Sequence, residues 1–205
     1  SHAQPAGLQV ISALLGVFDA LTDPRDPRGV RHRLASVLTI TVLSALAGAG
    51  NFREAGDRAG ELPAELLIAA GARISPASGL PEPPSGATIR RVVQNIDAAH
   101  ADALVGAWLA ECVAARRAAG REGDAPQLPE GVDWLDGLAI DGKTVRNSAA
   151  PGGADVRLFA ALLHHEQVVI AQIAVPEHTT EVTQVENLLK AVDLDGRAVT
   201  ADAAH

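Results

Sequence analysis

From residue 135 to residue 203 the chain runs through four short apolar stretches and one helix-patterned stretch, in an order that few folds accommodate. Residues 135–141 read as a first strand. Residues 157–164 and 168–175 are two further apolar runs separated only by His165-Glu166-Gln167, a break short enough to favour an antiparallel hairpin. Thr179 or Thr180 can cap the helix that follows, whose Val182, Val185, Leu188, Leu189 and Val192 form one stripe. Asp193-Leu194-Asp195-Gly196 stops that helix, and residues 198–203 return as a strand. A right-handed crossover then lays the last strand parallel to the first and beside it. Asp141 and Asp202, each ending an apolar strand, therefore arrive at the same edge.

Aspartates on buried strands are costly unless they are paired or bind a cation, and hard cations such as Mg2+ or Mn2+ prefer oxygen ligands. Two such carboxylates side by side point to a metal site and to phosphoryl transfer on nucleic acid, with Asp141 and Asp202 as catalytic metal ligands. Lys143 and Arg146 follow the first aspartate closely enough to meet DNA phosphates near the metal. The histidines His164, His165, His178 and His205 have no zinc-type spacing with cysteine partners and read as polar surface or turn residues. Glu181 could approach the acidic site, although a glutamate in the first turn of a helix is also explained by the helix dipole.

The preceding part reads as helical throughout. Residues 8–21 repeat apolar residues at helical spacing and end at Asp23-Pro24-Arg25-Asp26-Pro27-Arg28-Gly29, a loop in which two prolines forbid continued helix. Arg25, Arg28, Arg31, His32 and Arg33 make it the most basic piece of the chain, and its arginines are candidates for holding a DNA backbone or for capping neighbouring helix ends. Residues 34–49 read as a buried helix, residues 52–59 and 63–70 as shorter ones. Residues 75–86, with four prolines, read as an extended loop. Thr88 can cap a helix through Asp97, and a longer helix should cover 101–118 with Leu104, Trp108 and Leu109 inward. Residues 119–131, rich in glycine, proline and alternating charge, form the expected linker between a helical domain (1–118) and a strand-and-helix domain (132–205).

Composition narrows the functional classes. Residues 1–130 carry a net charge of −2 and residues 131–205 a net −6, within a total of −8. That balance argues against a protein that simply coats DNA, because phosphate contacts need clustered basic residues. It suits an enzyme that gathers metal in an acidic cluster and touches DNA through local basic segments. The single cysteine, Cys112, excludes an internal disulfide, fits a reducing compartment and reads as a small core residue. The longest apolar run, residues 34–50, is diluted by serine, threonine and glycine and falls short of the roughly 20 residues a membrane span needs. With no signal peptide visible, the expected location is the cytoplasm, in association with the nucleoid, with no membrane partner.

Residues 23–50 (DPRDPRGVRHRLASVLTITVLSALAGAG), 84–97 (PSGATIRRVVQNID), 140–148 (IDGKTVRNS) and 158–205 resemble, in this order, the H-repeat-associated group of insertion-sequence transposases. The resemblance implies an α+β or α/β chain: a helical N-terminal domain followed by a ribonuclease H-like mixed sheet with helix, carrying an Asp-Asp-Glu metal triad. Asp141 matches its first aspartate and Asp202 its second. His178-Thr179-Thr180-Glu181 falls where the group has Lys, Ser/Thr, Asn, Glu, so the lysine and asparagine are replaced here. The third acid should come from a helix well beyond the second strand, whereas the chain ends three residues past Asp202. The expectation is therefore an incomplete triad and an incomplete sheet, with little or no strand cleavage by these residues alone.

The implied partners are DNA, at element ends and target, and a second copy in a homodimer or higher assembly. The implied activity is two-metal cutting and joining of DNA strands. Two other readings stand beside it: a catalytically dead remnant that binds DNA or dimerises, and another ribonuclease H-like DNA nuclease.

Overall fold

The computed structural model describes residues 6–120, 135–146, 148 and 153–202, and its contacts fall into two compact units, residues 1–101 and 102–205. Most of the expected linker, from residue 121 on, lies outside the described residues, as does His205.

In the first unit, α1 (Ala6–Phe18) buries Ile11, Leu14 and Phe18. A 3-10 turn at Pro27–Gly29 interrupts the basic loop, its N–H of Arg28 held by the Asp26 carboxylate. Helix α2 (Leu34–Leu46) is the centre of the unit; Val37 and Ile40 are fully buried, as are Thr39 and Ser44 among the hydroxyl residues that dilute its apolar run. Helices α3 (Phe52–Glu61) and α4 (Ala64–Ala69) follow. The α3 start is a reciprocal cap: the Glu54 N–H donates to Asn51 Oδ1 at 3.0 Å, while the Glu54 carboxylate accepts from Gly50 N and Asn51 Nδ2, both at 2.8 Å. Those bonds, the Gly50 one first, hold the Glu54 carboxyl below its ordinary range.

Residues 75–86 are not wholly a loop. Strands β1 (Arg73–Ile74) and β2 (Pro81–Glu82) pair antiparallel, with Arg73 opposite Glu82. Gly79, at φ +69°, makes the tight return possible, and Pro81 is tolerated because a two-residue strand asks little of its missing N–H. Helix α5 (Gly86–Val93) starts earlier than Thr88: Ser85, extended after Pro83-Pro84, is the cap, and its Oγ accepts the Thr88 N–H at 3.3 Å. It also ends earlier, so that Asp97 caps the next helix, accepting the His100 N–H at 3.0 Å. Helices α3 and α5 cross at two glycines, and a Cβ on Gly86 would overlap the Phe52 carbonyl oxygen.

The second unit contains most of α6 (Ala98–Gly120) and a four-stranded sheet. Strands β3 (Asp136–Val145), β4 (Val156–Leu163) and β5 (Val168–Val175) form an antiparallel meander, helix α7 (Glu181–Leu189) crosses over, and β6 (Arg197–Ala201) lies parallel to β3, giving the order β5-β4-β3-β6. One face of the sheet is covered: Leu138, Ile140, Phe159, Ala161 and Leu163 pack with Leu188 of α7 and with Ala110 and Val113 of α6. Small residues dominate the α6 side of that contact, and Gly106 comes so close to the Ile170 carbonyl that a Cβ would overlap it. Leu104, Trp108 and Leu109 are accordingly only half-buried. Cys112, expected in the core, is exposed because it lies off the Gly106, Ala110, Val113, Arg117 stripe. Arg117 closes the end of this layer, donating from Nε to Glu166 at 2.5 Å and from Nη1 to Asp136. The Arg117 bond holds the Glu166 carboxyl below its ordinary value.

Candidate active site

The parallel pairing of β3 and β6 runs from Asp136 opposite Arg197 to Ile140 opposite Ala201. Asp141 and Asp202 are the next position on each strand, so the two carboxylates leave neighbouring strands separated by roughly 5 Å. The chain reaches this arrangement because the apolar stretches end at the same register, Ile140 and Ala201, on strands joined by a crossover helix. Alternation puts Leu138 and Ile140 on the helix-covered face and Asp141 on the other, where it is exposed. Among the described residues the Asp141 carboxylate has no hydrogen-bond or salt-bridge partner, an arrangement that leaves its oxygens available to a cation. Lys143 lies two residues on, hence on the same face, and Arg146 follows in the turn after β3; both are exposed.

Glu181 occupies a place that spacing alone did not reveal. Its carboxylate packs on the backbone of Gly142, so closely that a Cβ at 142 would overlap it. Gly142 belongs to the covered face, on which the fully buried Leu188 of the same helix also packs, so Glu181 approaches the strand end from the side opposite Asp141. The obstructing group is the far end of a flexible side chain, so Gly142→Ala should fold but displace Glu181. In a double-mutant cycle with Glu181→Ala, urea unfolding should give a coupling of about 1 kcal/mol between the two positions; additivity would mean the contact carries no energy.

The residues suit a hard divalent cation as far as the donor set goes: two carboxylates on adjacent strands, that of Asp141 without a protein partner among the described residues. Among the described residues no group of three His, Cys, Asp or Glu side chains is arranged to hold a metal ion. Of the histidines, His164 is exposed and bonds Thr200 Oγ1 through Nε2 at 3.1 Å, while His165 and His178 are exposed.

The basic loop of the first unit divides into two kinds of arginine. Arg25 is committed: it donates from Nε and Nη2 to the Asp23 carboxylate at 2.8 and 2.7 Å and from Nη2 to the His32 carbonyl at 2.9 Å. Arg33 is paired with Asp19 at 2.6 Å. Arg28 and Arg31 are exposed, and among the described residues their guanidinium groups have no hydrogen bond or ion pair. His32 is buried, with Nδ1 unpartnered, and burial lowers its pKa from the usual histidine value. No local sequence signal distinguishes the buried His32 from the exposed Arg31 and Arg33 on either side of it.

Residues 15–109 match the family described as DDE_Tnp_1-associated. Over 196 residues, 94% of the chain, it is 30% identical to the "Putative transposase YncI" of Escherichia coli O157:H7, covering 44% of that protein. It is 29% identical to the "Putative transposase YncI" of Escherichia coli K12, covering 69% of it. It is 27% identical to the "H repeat-associated putative transposase YhhI" of the same strain, covering 45%. The chain thus spans less than half the length of two of these relatives. No solved structure matches it. No helix among the described residues is long and apolar enough to cross a membrane.

Proposed function

Because this chain belongs to the DDE-type insertion-sequence transposases, we propose that it supplies DNA contacts and the first two metal-binding carboxylates of an enzyme that cuts and joins DNA strands. The observation that carries this reading is the register of β3 and β6, which delivers Asp141 and Asp202 to adjacent strand ends. A meander of three strands whose fourth returns through a helix to lie parallel beside the first also supports a ribonuclease H-like sheet for residues 136–201.

In that function Asp141 and Asp202 would be oxygen ligands to Mg2+ or Mn2+. Bound cations of this kind lower the pKa of an attacking water or 3′-hydroxyl and stabilise the leaving oxygen of a phosphodiester. Asp141, unpartnered on the open face, can hold its charge toward substrate without first breaking a protein contact. Lys143 and Arg146, just beyond it, place positive charge where a DNA strand would cross the sheet edge, and such contacts position the backbone without reading sequence. The buried Leu138 and Ile140 anchor the strand, keeping the Asp141 main chain from drifting as the phosphate engages.

The experiment is strand cleavage and strand transfer on duplexes bearing the ends of the source element, using the protein as encoded, with Mg2+, with Mn2+ and with EDTA. Metal-dependent nicking followed by joining is the expected result. Nicking without joining would favour a nuclease; DNA binding with neither would leave a remnant that binds or pairs.

A further inference from the structure

In the first unit an open cleft of about 770 Å3 lies between the basic loop and the β1–β2 hairpin, with Arg31 on one side and Arg73, Ser75 and Glu82 on the other. We propose that this cleft holds the backbone of duplex DNA, with Arg31 and Arg73 as its phosphate contacts; the choice of DNA as occupant rests on the transposase reading above.

The loop side is prebuilt. The bonds of Arg25 to Asp23 and to the His32 carbonyl close the loop on itself, and the Asp26 carboxylate caps the 3-10 turn. A loop so braced loses little conformational freedom when it binds, and it presents Arg28 and Arg31 outward with no protein partner among the described residues. Arg25 and Arg33 are thereby assigned a structural part, through Asp23 and Asp19, and the DNA contact passes to residues from two distant segments.

The hairpin side is half-committed. Arg73 meets Glu82 across the β1–β2 pair at 3.6 Å, a long contact between side chains 37% and 48% exposed. An exposed pair of that geometry is worth little and is readily exchanged for a phosphate, which a guanidinium can grip with two parallel donors. His32, next to Arg31 in the chain and only 8% exposed, has no partner for Nδ1 among the described residues. The charged groups that bear on it are Glu82 from the hairpin, Arg73, and Arg25 and Arg31 from the loop. Among the described residues the cleft lining therefore carries two guanidinium groups, Arg31 and Arg73, against one carboxylate, Glu82, within a chain whose total charge is −8.

The test is fluorescence anisotropy of a labelled mixed-sequence DNA duplex in EDTA, over salt from roughly 50 to 200 mM, where backbone contacts reveal themselves as a slope of log affinity on log salt of about −0.9 each. Arg31→Ala and Arg73→Ala should each weaken binding and flatten the slope by about 0.9. Glu82→Gln should tighten binding, since it releases Arg73 and removes the one opposing charge; a pair that served only to hold the hairpin would make that variant neutral or weaker. Circular dichroism confirms that each variant folds, and Arg90→Ala, outside the cleft, serves as the control that should lower affinity less than either cleft arginine. Unchanged slopes for both cleft variants, weaker binding by Glu82→Gln, or equal competition by polyglutamate would overturn the proposal. Because the assay excludes metal, it separates from catalysis: cleft-dependent binding without cleavage would remove the enzymatic reading alone, and cleavage with cleft variants binding as the parent would remove this one alone.

Discussion

Asp141→Asn will lose divalent-cation binding at the sheet edge while leaving the fold untouched. Mn2+ titration followed by paramagnetic broadening of NMR signals should show affinity lower by at least about tenfold, the lower bound for losing a group that supports a metal. Cleavage of element-end DNA by the encoded protein should fall by at least about a hundredfold, the scale for removing one group that stabilises developing charge. The physical reason is the combination of exposure, adjacency to Asp202 and lack of a protein partner among the described residues. A carboxylate that held the fold together would be bonded; this one is not, so the melting temperature should be unchanged. Asp195→Asn, in the exposed turn before β6, is the control that should alter neither quantity. A fall in melting temperature with no loss of metal affinity would make Asp141 a structural residue and sink the site.

Gly86→Ala will be the most damaging single methyl group in the first unit. At the crossing of α3 and α5, a Cβ on Gly86 would overlap the Phe52 carbonyl oxygen and lie 3.2 Å from Arg53 Cα; one on Gly56 would overlap Gly86 N and lie 2.8 Å from its Cα. All of these obstructing atoms are backbone, so no rotamer change relieves them and the helices must separate. The cost should reach about 3 kcal/mol, the upper range for overpacking, even though alanine is the better helix former by about 1 kcal/mol. For a unit of this size that corresponds to a melting temperature lower by roughly 10–20 °C. Gly60→Ala, in α3 and with nothing within 4 Å of its added Cβ, should instead stabilise the unit by roughly 0.5–1 kcal/mol. The opposite signs of the same substitution in the two crossing helices would show that the crossing, rather than propensity, sets the requirement for glycine. Calorimetry on the two variants decides it, and a Gly86→Ala protein as stable as the parent would mean that the helices do not meet there.

What could be read along the chain was what local pattern and short connections specify. The β4–β5 hairpin follows from a three-residue polar break between apolar runs, and the crossover to β6 from a capped amphipathic helix between two strands; the antiparallel pairing of β3 with β4 had no such local signal. Together they bring Asp141 and Asp202 to neighbouring positions, because a parallel crossover leaves little freedom in which ends coincide. Patterns that repeat at 2 or 3.6 residues identify a face, and strand ends inherit that face.

The rest was decided by contacts between segments far apart. Ser85 rather than Thr88 opens α5, a choice among hydroxyl residues made by the path that Pro83-Pro84 and the α3 crossing impose. Cys112 is as apolar as its neighbours, but the side of α6 that meets the sheet is set by Gly106 and the Ile170 carbonyl, which leaves the thiol outside. The four arginines of the loop are alike by type; only folding ties Arg25 to Asp23 and Arg33 to Asp19, and brings Arg73 opposite Arg31. Glu181 reaches the strand end only because Gly142 lacks a side chain and α7 packs above it. Periodicity determines which residues share a surface, since it is a property of the local backbone. Which surfaces meet, and which charges are left without partners, depends on long-range packing that no local run of residues encodes.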